Sequence, residues 1–286
     1  MNACIECLPC LGKNAVEAAK RSTDDHGVQK QIVREALELL ARDPMDMPPP
    51  YIAAQILRIA QKYTGIKDLY AEEKRRSNEL AERLVAELPS IPEYIPGDFE
   101  SGLRLAIAGN ILDFGVFTDL NIEQALKVVR KTLSVPLDPV SVQKLKEKMD
   151  AATHILYVLD NCGEAVFDRI FMTPYRHKIT LAVRGGVTFN DVTADDLKQC
   201  GLHNFAARQI ASASYGIPGT ILPESTEEFR KIYHSADLIL AKGQGNFETM
   251  NENPESIAFL FLAKCQTVTK LLGVEPNSIQ LILNNF

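Results

Sequence analysis

The sequence of 286 residues lacks the features that mark membrane, secreted and nucleic-acid-binding proteins. It has no run of about 18 or more uncharged apolar residues, which a membrane-spanning helix would require. Its first residues have neither the basic start nor the apolar core of a signal peptide. Its formal net charge of -6 provides no basic footprint for general binding of phosphate backbones. We therefore expect a cytoplasmic protein that binds neither membranes nor nucleic acids.

Standard catalytic and phosphate-binding motifs are also missing. No Gly-Lys-Ser/Thr closes a phosphate loop, no G-x-G-x-x-G is present, and the five histidines share no spacing typical of metal ligands. Six cysteines are present, and three of them are crowded at Cys4, Cys7 and Cys10. In a reducing cytosol these predict thiols or ligands of zinc or iron rather than disulfides. Thiols buried on a helix face explain them equally well, because no fourth ligand has the right spacing.

The first half of the chain has the apolar spacing of helices. With 46% hydrophobic and 24% charged residues, the composition is that of a globular protein. No strand-like alternation interrupts the helical pattern, and several segments begin near an acidic residue or asparagine suited to capping. The pattern predicts an all-α helical domain over residues 1–150. Its helical segments are 28–43, 51–65, 68–88, 99–115, 121–133 and 138–152.

After about residue 152 the pattern changes to short apolar runs separated by helical segments. The alternation predicts a three-layer α/β/α domain over residues 151–286, with a mainly parallel sheet. Ligands of such sheets bind beyond the carboxyl ends of the strands, so the polar residues that end these runs are candidates for a site. The strand candidates are 154–160, 179–185, 236–243, 258–265 and 279–285, and the helix candidates are 163–172, 203–214, 225–235 and 266–273.

Two acidic segments of the second half are candidates for a metal site. Asp160 and Asn161 follow the first apolar run, and their carboxylate and amide oxygens suit a hard divalent cation such as magnesium or manganese. Glu164 can add a second carboxylate from the first turn of the next helix. Asp191 follows the second run after two glycines, and it reaches the same crevice if the two strands are neighbours. Alternatively, these residues only turn the backbone and cap a helix.

The run "LILAKGQGNFET" ends in a segment that could hold a phosphate. After a buried strand, Gly243 and Gly245 would expose backbone N–H groups, Lys242 would supply a charge, and Asn246 could donate an amide hydrogen bond. A tight turn between a strand and a helix explains the segment equally well.

The helical half offers a further candidate in "AGNILDFG". Gly109 lies inside a helical pattern, where glycine costs on the order of 1 kcal/mol relative to alanine, so it indicates a close approach to another element. Asn110 and Asp113 are three residues apart and would face the same side of a helix. They either belong to a closely packed helix end or contribute to the crevice.

In this order, "CIECLPC", "AGNILDFG", "LDNCGEAVFD", "VRGGVTFND" and "ADLILAKGQGNFE" resemble the metal-dependent damage-control phosphatases. The N-terminal cysteines are similar to those of the stand-alone, prokaryotic type of this family. The resemblance implies a helical domain packed on an α/β domain, with a divalent metal at their junction. It implies that Asp160, Asn161 and Asp191 bind the metal. It also implies that the segment Lys242, Gly243, Gln244, Gly245 and Asn246 binds the substrate phosphate, and Glu164, Asn110 and Asp113 match further motif positions.

The resulting hypothesis is hydrolysis of small phosphomonoesters, such as sugar phosphates or damaged phosphorylated metabolites. The cofactor would be manganese, cobalt, nickel or magnesium, and Asp160, Asp191 and Lys242 would be the catalytic residues. One alternative is an S-adenosylmethionine-dependent carboxyl methyltransferase. Another is a non-catalytic metal- or redox-sensing module built on Cys4, Cys7 and Cys10. The sequence does not indicate the oligomeric state.

Overall fold

The computed structural model describes residues 1–42, 44–109 and 122–286. In this part of the chain seven α-helices precede the first strand, and four more alternate with the strands. The helices are α1 (Cys7–Ser22), α2 (His26–Ala41), α3 (Pro49–Thr64), α4 (Ala71–Glu87), α5 (Phe99–Ala108), α6 (Ile122–Leu133), α7 (Pro139–Ala151), α8 (Glu164–Met172), α9 (Glu227–Ser235), α10 (Gln244–Met250) and α11 (Gln266–Leu272).

The helices of the first half begin where the sequence supplies a side-chain cap. Asp98 accepts a hydrogen bond of 2.8 Å from the Ser101 backbone N–H at the start of α5, and Asp138 accepts one of 3.0 Å from Ser141 at the start of α7. Each cap satisfies an N–H group that has no partner within its helix. All six helical segments predicted before residue 152 correspond to helices, although the end predicted for α5 lies outside the described residues.

Six strands form one sheet in the order β3-β2-β1-β4-β5-β6. Neighbouring strands from β3 to β5 run parallel, and β6 is antiparallel to β5. The strand order reverses direction between β1 and β4, and ligands of open α/β sheets bind at such a switch point. The strands are β1 (Ile155–Val158), β2 (Ile179–Val183), β3 (Arg208–Ala211), β4 (Leu238–Lys242), β5 (Ile257–Ala263) and β6 (Ser278–Asn284).

Helices cover both faces of the sheet, which explains why its central strands are apolar on both sides. On one face Tyr157 and Leu240 belong to a core shared with α5, α7 and α8. On the other face Leu156 and Phe259 pack with side chains of α9, α10 and α11. The mixed α/β fold with a mainly parallel sheet, predicted from the alternating pattern, is therefore confirmed.

One predicted element is wrong. Residues 203–214 were predicted to be helical, but they contain strand β3, which pairs in parallel with β2 at the edge of the sheet. Only Ile210 of this strand is buried. An edge strand of four residues leaves too short an apolar pattern to be recognised, and the two alanines before it favoured the helical interpretation.

The change from helices to alternating strands falls where the sequence placed it, since no described residue before Ile155 belongs to a strand of the sheet. Helices α5 and α7 nevertheless pack against the sheet through Leu103 and Leu145. The division into domains at residue 150 therefore stays a prediction. None of the described helices is both long and apolar enough to cross a membrane.

Candidate metal and phosphate site

The candidate residues meet at the carboxyl ends of β1, β2 and β4. Asp160 lies two residues beyond β1, Arg184 immediately follows β2, and Lys242 is the last residue of β4. The segment around Asp191 folds back onto the end of β1, where Val192 donates its backbone N–H to the Asp160 carbonyl oxygen at 2.8 Å. Asn161 and Asp191 form an isolated antiparallel bridge. A short backbone pairing therefore brings the two predicted carboxylates together.

Arg184 joins the two carboxylates. Its Nε donates to Asp191 Oδ2 at 2.6 Å, and its Nη2 donates to Asp160 Oδ1 at 3.2 Å. Arg184 and Asp191 are each 2% exposed, and Asp160 is 8% exposed. In the sequence, Arg184 lies in the strand candidate 179–185, among the polar residues that end the apolar runs and are candidates for a site. Its position after β2 was visible, but not the inward direction of its side chain.

The carboxylates lie in an environment that disfavours their negative charge. Burial raises the pKa of Asp160 well above its usual range, and the nearby charges of Asp191 and Glu164 raise it further, while Arg184 and Lys242 oppose the shift. Burial also raises the pKa of Asp191, against the opposing effect of Arg184. Two buried carboxylates that repel each other are stabilised by an additional cation.

The donor set fits a hard divalent cation. Asn161 donates through Nδ2 to Asp160 Oδ2 at 2.7 Å and to Glu164 Oε2 at 3.4 Å. The side-chain oxygen Oδ1 of Asn161 therefore lies on the side of the amide group opposite to Nδ2. Among the described residues, no group of three or more His, Cys, Asp or Glu side chains could hold a metal ion. A cation between Asp160 and Asp191 could take the Asn161 amide oxygen as a third protein ligand, and all three groups are oxygen donors.

Lys242 lies in a fully buried charge cluster beneath these residues. Its ammonium group donates to the Ala106 carbonyl oxygen at 2.6 Å and to Glu164 Oε1, and it lies 3.0 Å from Asp168 Oδ1. Burial opposes its charge, but Asp168 and Glu164 outweigh burial and raise the pKa of Lys242. An ammonium group has three N–H donors. Direct contact with a phosphate, as predicted from the sequence, would require Lys242 to leave these three acceptors.

Asp168 was not identified from the sequence, although it lies one helical turn after Glu164 and so shares a face with it. Its Oδ1 accepts a hydrogen bond of 2.7 Å from the Tyr157 hydroxyl. Burial raises the pKa of Asp168 to about 7, with Lys242 lowering it and Glu164 raising it. The buried side chains thus form a chain of contacts from Tyr157 to Asn161.

Gly243 and Gly245 are required by close approaches of other atoms. Gly243 has a φ of +79°, and a Cβ there would lie 2.0 Å from Asp160 Oδ2. A Cβ at Gly245 would lie 2.0 Å from the Pro218 carbonyl oxygen. The two glycines therefore let the chain between β4 and α10 pack closely against Asp160 and Pro218. The turn and the candidate metal ligands belong to one site.

The side chains of the turn hold it in place. Asn246 is fully buried, donates to the Lys242 carbonyl oxygen at 2.7 Å and accepts from Arg184 Nη1 at 3.1 Å. Gln244 accepts from the backbone N–H groups of Lys264 and Cys265 at 2.9 and 3.1 Å. The Asn246 amide is therefore engaged in the protein interior instead of facing a ligand.

A cavity of about 660 Å³ opens onto the candidate metal ligands. Its wall includes predicted site residues from three segments, and also the aromatic rings of Tyr70 and Phe189, whose centroids are 5.6 Å apart. Glu164, Lys242 and Asn246 lie behind this wall, each fully buried. The predicted site residues that line the cavity are Asp160, Asn161, Asp191, Gln244 and Gly245.

The helical half of the chain contacts the candidate site at Gly109, which follows α5. A Cβ at Gly109 would lie 2.8 Å from the Glu164 Cα, so the close approach predicted from this glycine is present. Asn110 and Asp113 lie outside the described residues, and their roles stay predictions.

The N-terminal cysteines lie at the same cavity. Cys7 and Cys10 line it together with Cys265, and Cys4 Sγ lies 3.5 Å from Cys7 Sγ just before α1. Burial is the main cause that raises the pKa of Cys7 to about 12. Because the described residues contain no group of three such side chains that could hold a metal, the structure offers no support for a zinc or iron centre on these thiols.

Comparisons with known proteins agree with this arrangement. The model of the damage-control phosphatase ARMT1-like domain matches residues 3–279. A damage-control phosphatase of Pyrococcus horikoshii is 34% identical over 288 residues, covering 98% of each chain. A damage-control phosphatase of Archaeoglobus fulgidus is 31% identical over 274 residues, covering 94% of each. The crystal structure of a DUF89 family protein from Pyrococcus horikoshii superposes with a TM-score of 0.89 at 32% identity and covers 99% of both chains. The chain therefore belongs to the damage-control phosphatase ARMT1-like family, a membership that supports a phosphatase role for it.

Proposed function

We propose that the protein is a metal-dependent phosphatase that hydrolyses small phosphomonoesters, such as sugar phosphates or damaged phosphorylated metabolites. The observation that carries the proposal is the meeting of Asp160, Asn161 and Asp191 at the switch point of the sheet, facing a cavity of about 660 Å³. These residues would hold manganese, cobalt, nickel or magnesium, since oxygen donors suit hard and borderline divalent cations. When bound, the cation would supply Lewis-acid polarisation of a phosphoryl oxygen.

The first turn of α10 is the proposed phosphate-binding element. Gln244 and Gly245 lie at the start of α10 and line the same cavity as Asp160. The first N–H groups of a helix have no acceptor within it, so they are available to a phosphate oxygen. A phosphate bound in the cavity between this turn and Asp160 would receive hydrogen bonds from these N–H groups, which would stabilise its negative charge during phosphoryl transfer.

Lys242 and Glu164 are proposed to act behind the reacting atoms. The ammonium group of Lys242 balances Glu164 and Asp168, and Glu164 in turn accepts from the Asn161 amide at 3.4 Å. Through these contacts Lys242 would fix the amide whose oxygen binds the metal. Lys242 then contributes to catalysis by orienting Asn161, which differs from the direct contact with phosphate that the sequence suggested.

The size of the cavity indicates a substrate with an organic part. Pockets of about 300–1,000 Å³ usually enclose a whole small metabolite, and this one extends from Asp160 to the rings of Tyr70 and Phe189. A panel of sugar phosphates, nucleotides and phosphorylated cofactors, each assayed with the four metals, would identify the substrate and the preferred cation.

Replacement of the two carboxylates tests the proposal. We expect Asp160→Ala and Asp191→Ala each to abolish metal-dependent release of phosphate from p-nitrophenyl phosphate, because each change removes a metal ligand. Asp24→Ala is a matched control, since Asp24 is exposed and is not among the residues that line the cavity. Phosphate release that persists in both site variants in chelator-treated buffer would refute the proposal.

A further inference from the structure

We propose that Arg184 is a positioning residue that fixes the orientation of the two metal-binding carboxylates and ties them to the phosphate-binding turn. The inference rests on the proposed function, because it concerns the same metal site. No motif of the sequence assigned Arg184 a role.

The guanidinium group contacts four separate segments of the chain. Nε and Nη2 donate to Asp191 Oδ2 and Asp160 Oδ1, at 2.6 and 3.2 Å. Nη1 donates to Asn246 Oδ1 and to the Gly219 carbonyl oxygen, both at 3.1 Å. One planar group therefore joins the end of β1, the loop after β2, the segment after β3 and the first turn of α10.

This arrangement determines which carboxylate atoms can face the cavity. Each carboxylate gives one oxygen to Arg184, and the other oxygen of Asp160 accepts from Asn161 Nδ2 at 2.7 Å. Asp160 and Asp191 both line the cavity, whereas Arg184, 2% exposed, lies behind them. The side of the pair opposite Arg184 is thus the side on which a cation from the cavity would bind. Residues that orient metal ligands in this way commonly change metal affinity by about 10–100-fold when replaced.

Only arginine provides these contacts at once. Its guanidinium is a rigid fork with five N–H donors, whereas the lysine ammonium is a compact charge with three donors. Lysine at this position would keep the positive charge but could not span Asp160, Asp191 and Asn246 in one plane. Replacing Arg184 with lysine, which keeps the charge, and with glutamine, which removes it, therefore separates the effect of charge from the effect of geometry.

Asn246 extends the contact network of Arg184 to the first turn of α10. Its Oδ1 also accepts a hydrogen bond of 3.0 Å from the Thr220 hydroxyl, and its Nδ2 holds the Lys242 carbonyl oxygen at 2.7 Å. The turn that begins α10 is therefore anchored to the same group that orients the carboxylates. A shift of Arg184 would therefore move both the candidate metal ligands and the first turn of α10, and would change the distance between them.

The test is the affinity for Mn²⁺, measured by isothermal titration calorimetry on the full chain. We expect Arg184→Gln and Arg184→Lys each to bind Mn²⁺ about 10–100-fold more weakly than the unaltered protein. Arg169→Gln is the matched control, because Arg169 forms a comparable two-bond pair with Glu82, at 2.8 and 2.9 Å, away from the cavity wall. That control should keep its Mn²⁺ affinity. Circular dichroism and unfolding temperatures in chelator would establish that each variant is folded.

Two outcomes would overturn the inference while leaving the proposed function intact. Unchanged or tighter Mn²⁺ binding by folded Arg184→Gln would show that the carboxylates need no such support, and full affinity in Arg184→Lys would show that charge alone suffices. If neither variant folds, a crystal structure of the unaltered protein with Mn²⁺ decides. The guanidinium should then remain within about 3.5 Å of both carboxylates, and its displacement from either one would overturn the inference. Absence of Mn²⁺ binding by the unaltered protein would instead refute the proposed function.

Discussion

Gly243 separates strand β4 from helix α10, and its missing side chain makes room for a carboxylate. The positive φ of +79° and the 2.0 Å approach of Asp160 Oδ2 to an added Cβ are independent constraints at one residue. The first concerns the backbone of Gly243 itself, whereas the second concerns the position of a candidate metal ligand. A comparison with another glycine can therefore separate stability from function.

We predict that Gly243→Ala lowers both stability and metal-dependent phosphatase activity. With φ +79° and ψ 157°, the backbone of Gly243 lies in a region that is essentially restricted to glycine and costs a residue with a Cβ about 1–3 kcal/mol, and the methyl group would also displace Asp160. Gly273→Ala is the control, because Gly273 has a φ of +66° with no atom within 4 Å of an added Cβ. Denaturant unfolding and phosphate release would be measured for both. Equal activities in the two variants would contradict the prediction.

At the scale of elements, the charge cluster around Lys242 holds three of them together. Lys242 comes from β4, Glu164 and Asp168 from α8, and the Ala106 carbonyl oxygen from α5. All three charged side chains are fully buried. Removal of one partner from such a cluster leaves an uncompensated buried charge, which typically costs about 3–5 kcal/mol.

We predict that Lys242→Met destabilises the protein by about 3–5 kcal/mol and also reduces phosphatase activity, since Glu164 would lose the charge that holds it beside Asn161. Lys74 offers a matched control, because it is 1% exposed and pairs with Asp68 and Asp196 at 3.1 and 3.0 Å. Lys74→Met should be destabilised similarly but keep more activity. Denaturant unfolding and activity at saturating Mn²⁺ provide the two measurements, and full activity in folded Lys242→Met would contradict the prediction.

At the scale of the whole molecule, the candidate metal ligands come from segments that only the folded chain brings together. Asp160 and Asp191 are 31 positions apart in the sequence, and they meet because the segment at 190–192 pairs with the end of β1. A cation held by both therefore binds the native state much better than the unfolded chain. Binding of this kind stabilises a protein by about 2.7 kcal/mol when the free ligand is at 100 times its dissociation constant.

We predict that Mn²⁺ at such a concentration raises the unfolding temperature by about 5–10 °C, and that excess chelator reverses the increase. The physical reason is preferential binding to the folded state. Differential scanning calorimetry would be carried out on the unaltered protein and on the Asp160→Ala, Asp191→Ala double variant. An equal increase in the double variant would place the cation elsewhere and count against the proposed site.

The sequence by itself determined the order of helices and strands over most of the described chain, because apolar spacing reports which faces are buried. It also indicated Asp160, Asn161 and the "KGQGN" segment, since polar residues that end buried strands of a parallel sheet lie at one edge of it. It failed at β3, where a single buried residue, Ile210, left almost no pattern. Local sequence thus shows the periodicity of buried residues and the positions where strands end, but it says little about short edge strands.

Only the tertiary structure decided which way the site side chains point. Lys242 looked like a phosphate ligand in the sequence, but its donors face Glu164, Asp168 and the chain of α5. Arg184 was a candidate in the sequence only as a polar residue at a strand end, whereas in the structure it joins both candidate metal carboxylates. The direction of a side chain depends on which segments pack against it, and here those segments lie as far as 136 positions apart in the sequence. The residue types determined which chemical groups the site contains, and tertiary packing determined where each side chain points.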